Sequence, residues 1–203
     1  STDEYWECRM PDWSEVKVPL FSSGNWGGQG IHPRGNSEGF VRAASNEKWF
    51  EMHGIEHWTE FYTDYGVGLQ KKFFGHFLKG EDTGWKEQAP VLLQVRHVGE
   101  KFVERTENEW PLARTQWTKF YLHTEDHNLD LNPPSAKGSV TYDALGDGVT
   151  FITAPFEAET ELTGPMAAKL FVSSETEDAD LFLVVRLFTG DLKEEGFQGA
   201  LDP

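Results

Sequence analysis

Residues 49–80 read "WFEMHGIEHWTEFYTDYGVGLQKKFFGHFLKG", and how this stretch folds decides the architecture of the first half of the chain. "WFEMHG" is short, apolar and rich in β-formers, which predicts a strand ending at the glycine. "GIEHW" follows as a loop. Phe61, Tyr65, Leu69, Phe73 and Phe77 then recur every four residues, with Tyr62 and Phe74 beside the stripe, which is the spacing of one helix face. Glu60, Asp64, Lys71 and Lys72 make the polar face, and Gly80 stands where a helix is expected to stop.

Upstream the same alternation repeats. Residues 1–15, "STDEYWECRMPDWSE", show no period and read as a linker. "VKVPLFSSG" predicts a strand running into the glycine-rich "GNWGGQG", and "SEGFVRAASNEK", residues 37–48, predicts a helix capped by Ser37. Strand, loop, helix, strand, loop, helix is the rhythm of an α/β sheet.

Downstream of "KGEDTGWKEQAP" the rhythm changes. "PVLLQVR", "TQWTKFYL", "DGVTFITA", "MAAKLFVSS" and "DADLFLVVRLF" predict successive strands punctuated by Gly and Pro, the pattern of an all-β sandwich or jelly roll. The expected boundary lies near residue 88, giving an α/β segment over 1–88 and a β-sandwich over 89–203.

The composition excludes several classes of partner. The 203 residues carry a formal net charge of −16, which repels phosphate backbones and argues against nucleic acid. No apolar run is long enough to cross a bilayer, so no membrane partner is expected. Cys8 is the single cysteine; it cannot form an internal disulfide, and it fits a reducing, cytoplasmic compartment. Eight Trp and 15 Phe supply more aromatic surface than most cores need, and packing is its plainest use. The chain opens on Ser1 and closes at "FQGALDP" directly after strand-like sequence, so both ends are expected to be cut.

Three motifs carry chemical possibilities. "GNSEG", Gly35–Gly39, matches the Gly-x-Ser-x-Gly elbow of serine hydrolases. An elbow needs an apolar strand directly before the serine, and "GGQGIHPR" is loop, so Ser37 reads better as a helix cap than as a nucleophile. His53 and His57 are four residues apart, but the first is expected in a strand and Gly54 interrupts any helix, so a shared metal site is disfavoured. "ETEDAD", Glu175–Asp180, lacks the ligand spacing of an EF-hand and reads as a solvated acidic turn. No metal or other cofactor is expected.

In order along the chain, "VKVPLFSSGNW", "MHGIEHW", "FFGHFLKGEDTGW", "NEWPLARTQWTKFYL" and "TGPMAAKLFVSSETEDADLFLVVRLF" resemble the cocaine-esterase-like and X-Pro dipeptidyl-peptidase hydrolases. The resemblance implies the C-terminal part of an α/β-hydrolase domain followed by a truncated jelly-roll (galactose-binding-like) β-sandwich. It implies a serine hydrolase acting on a small-molecule ester or short peptide through an acyl-enzyme, its nucleophile upstream of Ser1. His57, in "GIEH", aligns with the triad histidine. The family's triad aspartate has no counterpart, because Gly27 stands in its place. Glu38 is the nearest carboxylate downstream and the candidate substitute. Another acid, catalysis without one, or lost activity all remain open. The rivals are a non-catalytic β-sandwich binding module carrying a vestigial hydrolase segment, and a metal protein built on His53 and His57.

Overall fold

Strand β1 (Leu20–Asn25) is hydrogen bonded in parallel to β2 (Lys48–His53), and β2 in parallel to β3 (Val91–His97), before β4 (Lys101–Glu107) turns back antiparallel to β3. A computed structural model describes residues 4–27, 32–55, 57–99 and 101–196. Two compact units emerge. One comprises Ser1–Ala113 and Phe171–Pro203, the other Arg114–Leu170.

In the first unit, helix α1 (Glu4–Glu7) and a 3-10 turn (Trp13–Glu15) precede β1, in the stretch expected to be a linker. Helix α2 (Pro33–Arg42) connects β1 to β2; helices α3 (His57–Tyr62) and α4 (Asp64–Lys79) connect β2 to β3. Parallel neighbours require such crossovers. Side chains alternate across β2, so the sheet has two packed faces. Phe50 and Met52 join Phe40 of α2, Val91, Leu93, Trp110 and Leu112 in one buried cluster. Trp49 joins Leu69 and Phe73 of α4, Trp85 and Leu92 in the other, flanked by Phe21 and Phe77. Trp85 is fully buried, its ring centroid 5.1 Å from Phe21, 5.3 Å from Trp49 and 5.2 Å from Phe73. Each buried side chain of this size contributes roughly 1.5–3 kcal/mol.

The helical stripe divides at Thr63. Its hydroxyl accepts from Gly66 N–H and opens α4, so α3 ends one residue earlier. Gly80 terminates α4 in the left-handed region at φ 69°, with its N–H bonded to Gly75 and His76 carbonyls. A side chain there is strained. Gly80→Ala is expected to cost about 1 kcal/mol, measured as a shift in the urea midpoint with an unchanged slope.

Residues 91–97, expected on the β-sandwich side of the boundary, pair in parallel with β2. One expectation is corrected here. Helix α2 begins at Pro33, with Pro in the first turn and no side-chain cap, so Ser37 lies within the helix and does not cap it. Proline's fixed φ suits that position.

The second unit contains β5 (Tyr121–His123) paired antiparallel to β6 (Asn128–Asp130), with a parallel bridge from Asn128 to Ile152. Its backbone is joined there by Leu129 N to Ile152 O at 2.8 Å and Ile152 N to His127 O at 3.0 Å. The strands expected in "MAAKLFVSS" and "DADLFLVVRLF" form no ladder among the described residues, apart from a bridge between Phe188 and Glu194. Phe182 is 89% exposed, and Leu183, Val184 and Val185 are also exposed. An alternating apolar pattern specifies a face, but a strand forms only when another lies beside it.

Candidate functional site

Open α/β sheets place their chemistry at the carboxyl ends of parallel strands. Here that end carries polar residues where the other end carries the aromatic cluster. Along the α4 side of the sheet, Phe21 and Trp49 give way to Ser23 beside Glu51, then to Asn25 beside His53, each pair in register across β1 and β2.

Glu51 is 1% exposed. Its carboxylate accepts from Ser23 Oγ at 2.6 Å and contacts His53 Nδ1 at 3.0 Å through Oε2, and accepts from Tyr65 Oη at 3.2 Å through Oε1. A buried carboxylate is tolerated only with this degree of hydrogen bonding. His53 Nε2 and Asn25 Oδ1 are buried with no hydrogen-bond partner among the described residues.

Asn25 is fully buried, and its Nδ2 donates to the carbonyls of Gly54 at 2.9 Å and Ile55 at 2.7 Å. Gln94 of β3 accepts from Gly54 N–H at 3.0 Å through Oε1 and donates through Nε2 to Glu60 Oε1 at 3.2 Å. Gly54 has no room for a side chain: a Cβ there would lie 2.1 Å from the Phe102 ring.

Burial, first, and then the negative charges of Glu51, Glu104 and Glu60 push the Tyr65 phenol well above its ordinary value. The folded state therefore holds the proton more tightly than the unfolded chain. The corresponding stability is present below the free tyrosine pKa of about 10 and is lost as pH rises above it. Tyr65→Phe is expected to flatten that alkaline loss, read from urea midpoints between neutral and alkaline pH.

His57 is the first residue of α3, rather than part of a loop, and follows the carboxyl end of β2. Its side chain lies outside the described residues, as does Glu56. Glu38 is on α2, where it pairs with Arg42 one turn along at 3.6 Å, both side chains being substantially exposed. Gly27 lies in the turn after β1, and the remainder of the "GNWGGQG" loop, residues 28–30, lies outside the description. Ser37 accepts a hydrogen bond from the Trp110 indole at 2.8 Å, and Gly39 of the same motif packs on Trp13, with a Cβ there 3.2 Å from that ring. "GNSEG" is thus a packing motif inside a helix. His53 and His57 belong to a strand and a helix, and His53 is engaged by Glu51. Glu175–Asp180 is exposed.

The sequence reading missed two groups: Glu51 with Tyr65, and Asn25, Gln94 and Glu60 around Gly54–Ile55. One signal was present. Glu51 stands between Phe50 and Met52 in an otherwise apolar strand, and a parallel strand covered on both faces leaves such a carboxylate no route to water.

Residues 83–198, more than half the chain, match the model of the X-Pro dipeptidyl-peptidase C-terminal non-catalytic domain. Two crystal structures of a CocE/NonD family hydrolase from Staphylococcus aureus are similar to this chain, each at 36% identity and a TM-score of 0.60 over 64% of it. The chain spans only 24% and 23% of the length of those two structures. The comparison with curated protein sequences yields no significant match. None of the described helices is long and apolar enough to cross a membrane.

Proposed function

This chain belongs to the cocaine-esterase-like and X-Pro dipeptidyl-peptidase hydrolase family, and from that premise we propose that it is the C-terminal part of a serine hydrolase cleaving small-molecule esters or short peptides through an acyl-enzyme. In this reading its parallel sheet continues an α/β-hydrolase domain, and the residues after it belong to a jelly-roll sandwich. The nucleophilic serine and the oxyanion donors lie upstream of Ser1. His57 is the general base: it takes the serine proton and returns it to the leaving group. The observation that carries the reading is the placement of His57 directly after the carboxyl end of a parallel strand, at the start of a helix, where such sheets hold their reacting groups. Glu38 has a different partner, Arg42, and is not assigned a role.

A fluorophosphonate probe, which phosphonylates activated serines, tests this. The chain alone is expected to stay unlabelled, whereas the hydrolase containing it is expected to carry the label on a peptide preceding Ser1. Label on Ser37 would overturn the assignment. No label on either protein would favour the second reading, a non-catalytic binding module, to which Gly27 in place of the expected aspartate and the non-catalytic character of the matched domain both point.

A further inference from the structure

The segment His53–Ile55, before His57, is held at several points. His53 C=O accepts from Trp26 N–H at 3.0 Å. Gly54 N–H is taken by Gln94 Oε1, and the Gly54 and Ile55 carbonyls are both taken by Asn25 Nδ2. Phe102 closes over Gly54, where an added Cβ would lie 2.1 Å from the ring and force it to move. On the far side of His57, one turn into α3, the buried Glu60 is held by the other end of Gln94. The turn is therefore clamped before and after the histidine by two amide side chains from neighbouring strands.

The clamp holds a strained conformation. Ile55 has φ 56°, in the left-handed region that β-branched residues avoid. Strain of this kind persists only where its surroundings over-determine it, and it concentrates at functional sites. Asn25 is also chemically specific. Both its amide hydrogens are spent on the turn, and its Oδ1 is buried without a partner among the described residues, so the side chain serves as a double donor. A carboxylate there would face two carbonyl oxygens.

We propose that Asn25 and Gln94 are positioning residues for His57, holding the Gly54–Ile55 turn in its strained conformation and fixing the first turn of α3, so that the imidazole starts from one backbone placement. The proposal rests on the reading of His57 as general base. A side chain delivered from a single placement preserves near-attack geometry, and a displacement of about 1 Å costs on the order of 10²-fold in rate.

The experiment uses the hydrolase containing this chain and p-nitrophenyl acetate. Asn25→Leu removes both donors at similar volume, and Gln94→Met removes the Gly54 acceptor and the Glu60 tether. Each is expected to lower kcat by about 10- to 100-fold with KM changed by no more than about twofold. Adding Ile55→Gly to Asn25→Leu is expected to recover much of the loss, because glycine adopts positive φ without strain and the turn then needs less holding. Two results would overturn the proposal: unchanged kcat in both variants, or a loss in kcat that tracks a fall in melting temperature and is not recovered by Ile55→Gly. If Asn25→Leu does not fold, Gln94→Met decides alone by the same kcat criterion. Full turnover in His57→Ala would instead remove the general-base reading and is scored separately.

Discussion

Replacing His57 by alanine in the hydrolase containing this chain is expected to lower kcat by roughly 10²–10⁴-fold, the range spanned by a positioned general base. A serine hydroxyl is a weak nucleophile until a base takes its proton, and imidazole, with a free pKa of about 6.5, performs that transfer near neutrality. The effect should fall on kcat with KM little changed, since proton transfer belongs to the transition state and not to substrate binding. On the proposed reading, residual turnover would come from oxyanion donors and a binding surface outside this chain. Glu38→Gln is the internal contrast. Glu38 pairs with Arg42 along the exposed side of α2, and such pairs contribute about 0.3–0.5 kcal/mol. Its kcat is therefore expected to stay at the wild-type level with a small shift in melting temperature. Steady-state kinetics on an aryl ester, beside thermal melts of each variant, separate the outcomes. A large loss of kcat in Glu38→Gln at unchanged stability would restore Glu38 as the catalytic acid.

The second large effect is expected on stability, at Glu51. Glu51→Leu removes the acceptor of three groups: the Ser23 hydroxyl, which is exposed and can turn to water, the half-buried Tyr65 hydroxyl and the buried His53 Nδ1. Each buried donor left without an acceptor costs about 1–3 kcal/mol. Hydroxyl rotation and a change of imidazole tautomer recover part of this, so the net expectation from the two less exposed groups is about 2–4 kcal/mol. Glu51→Gln retains one acceptor oxygen and should cost less. The cycle with Tyr65→Phe is diagnostic. If Tyr65 and Glu51 are coupled as the 3.2 Å contact indicates, Glu51→Leu should cost less in the Tyr65→Phe background. Urea unfolding followed by tryptophan fluorescence measures both, and additive costs would show the two groups to be independent.

The elements that were legible in the sequence share a property: their evidence is local. The stripe from Phe61 to Phe77 lies within a few helical turns, and Gly80 stops α4 by its own backbone freedom. The strand in 48–53 is buried on both faces because it is covered on both. The break at Thr63 was written in residues that also fit a continuous helix. A threonine between a tyrosine and an aspartate caps only when its φ and ψ leave the helix, and Thr63 does so at φ −68°, ψ 164°. The start of α2 escaped for a similar reason. Ser37 looks like a cap until Pro33, four residues earlier, is seen to open the helix.

What the sequence by itself determined is the set of side chains that share a face, the points where α4 and β2 end, and the family, whose matching segments lie in order along one chain. Only the tertiary structure decided which strand lies beside which. It placed Val91–His97 against β2 and left residues 181–187 without a ladder. It also drew Asn25, Gln94 and Glu60 from β1, β3 and α3 around Gly54–Ile55, and set Glu51 of β2 against Ser23, His53 and Tyr65. The reason is range. Periodicity and caps act over a few residues, whereas the parallel strand pairings and these hydrogen bonds join atoms 28 to 41 positions apart, and their partners are chosen by the packing of the whole sheet.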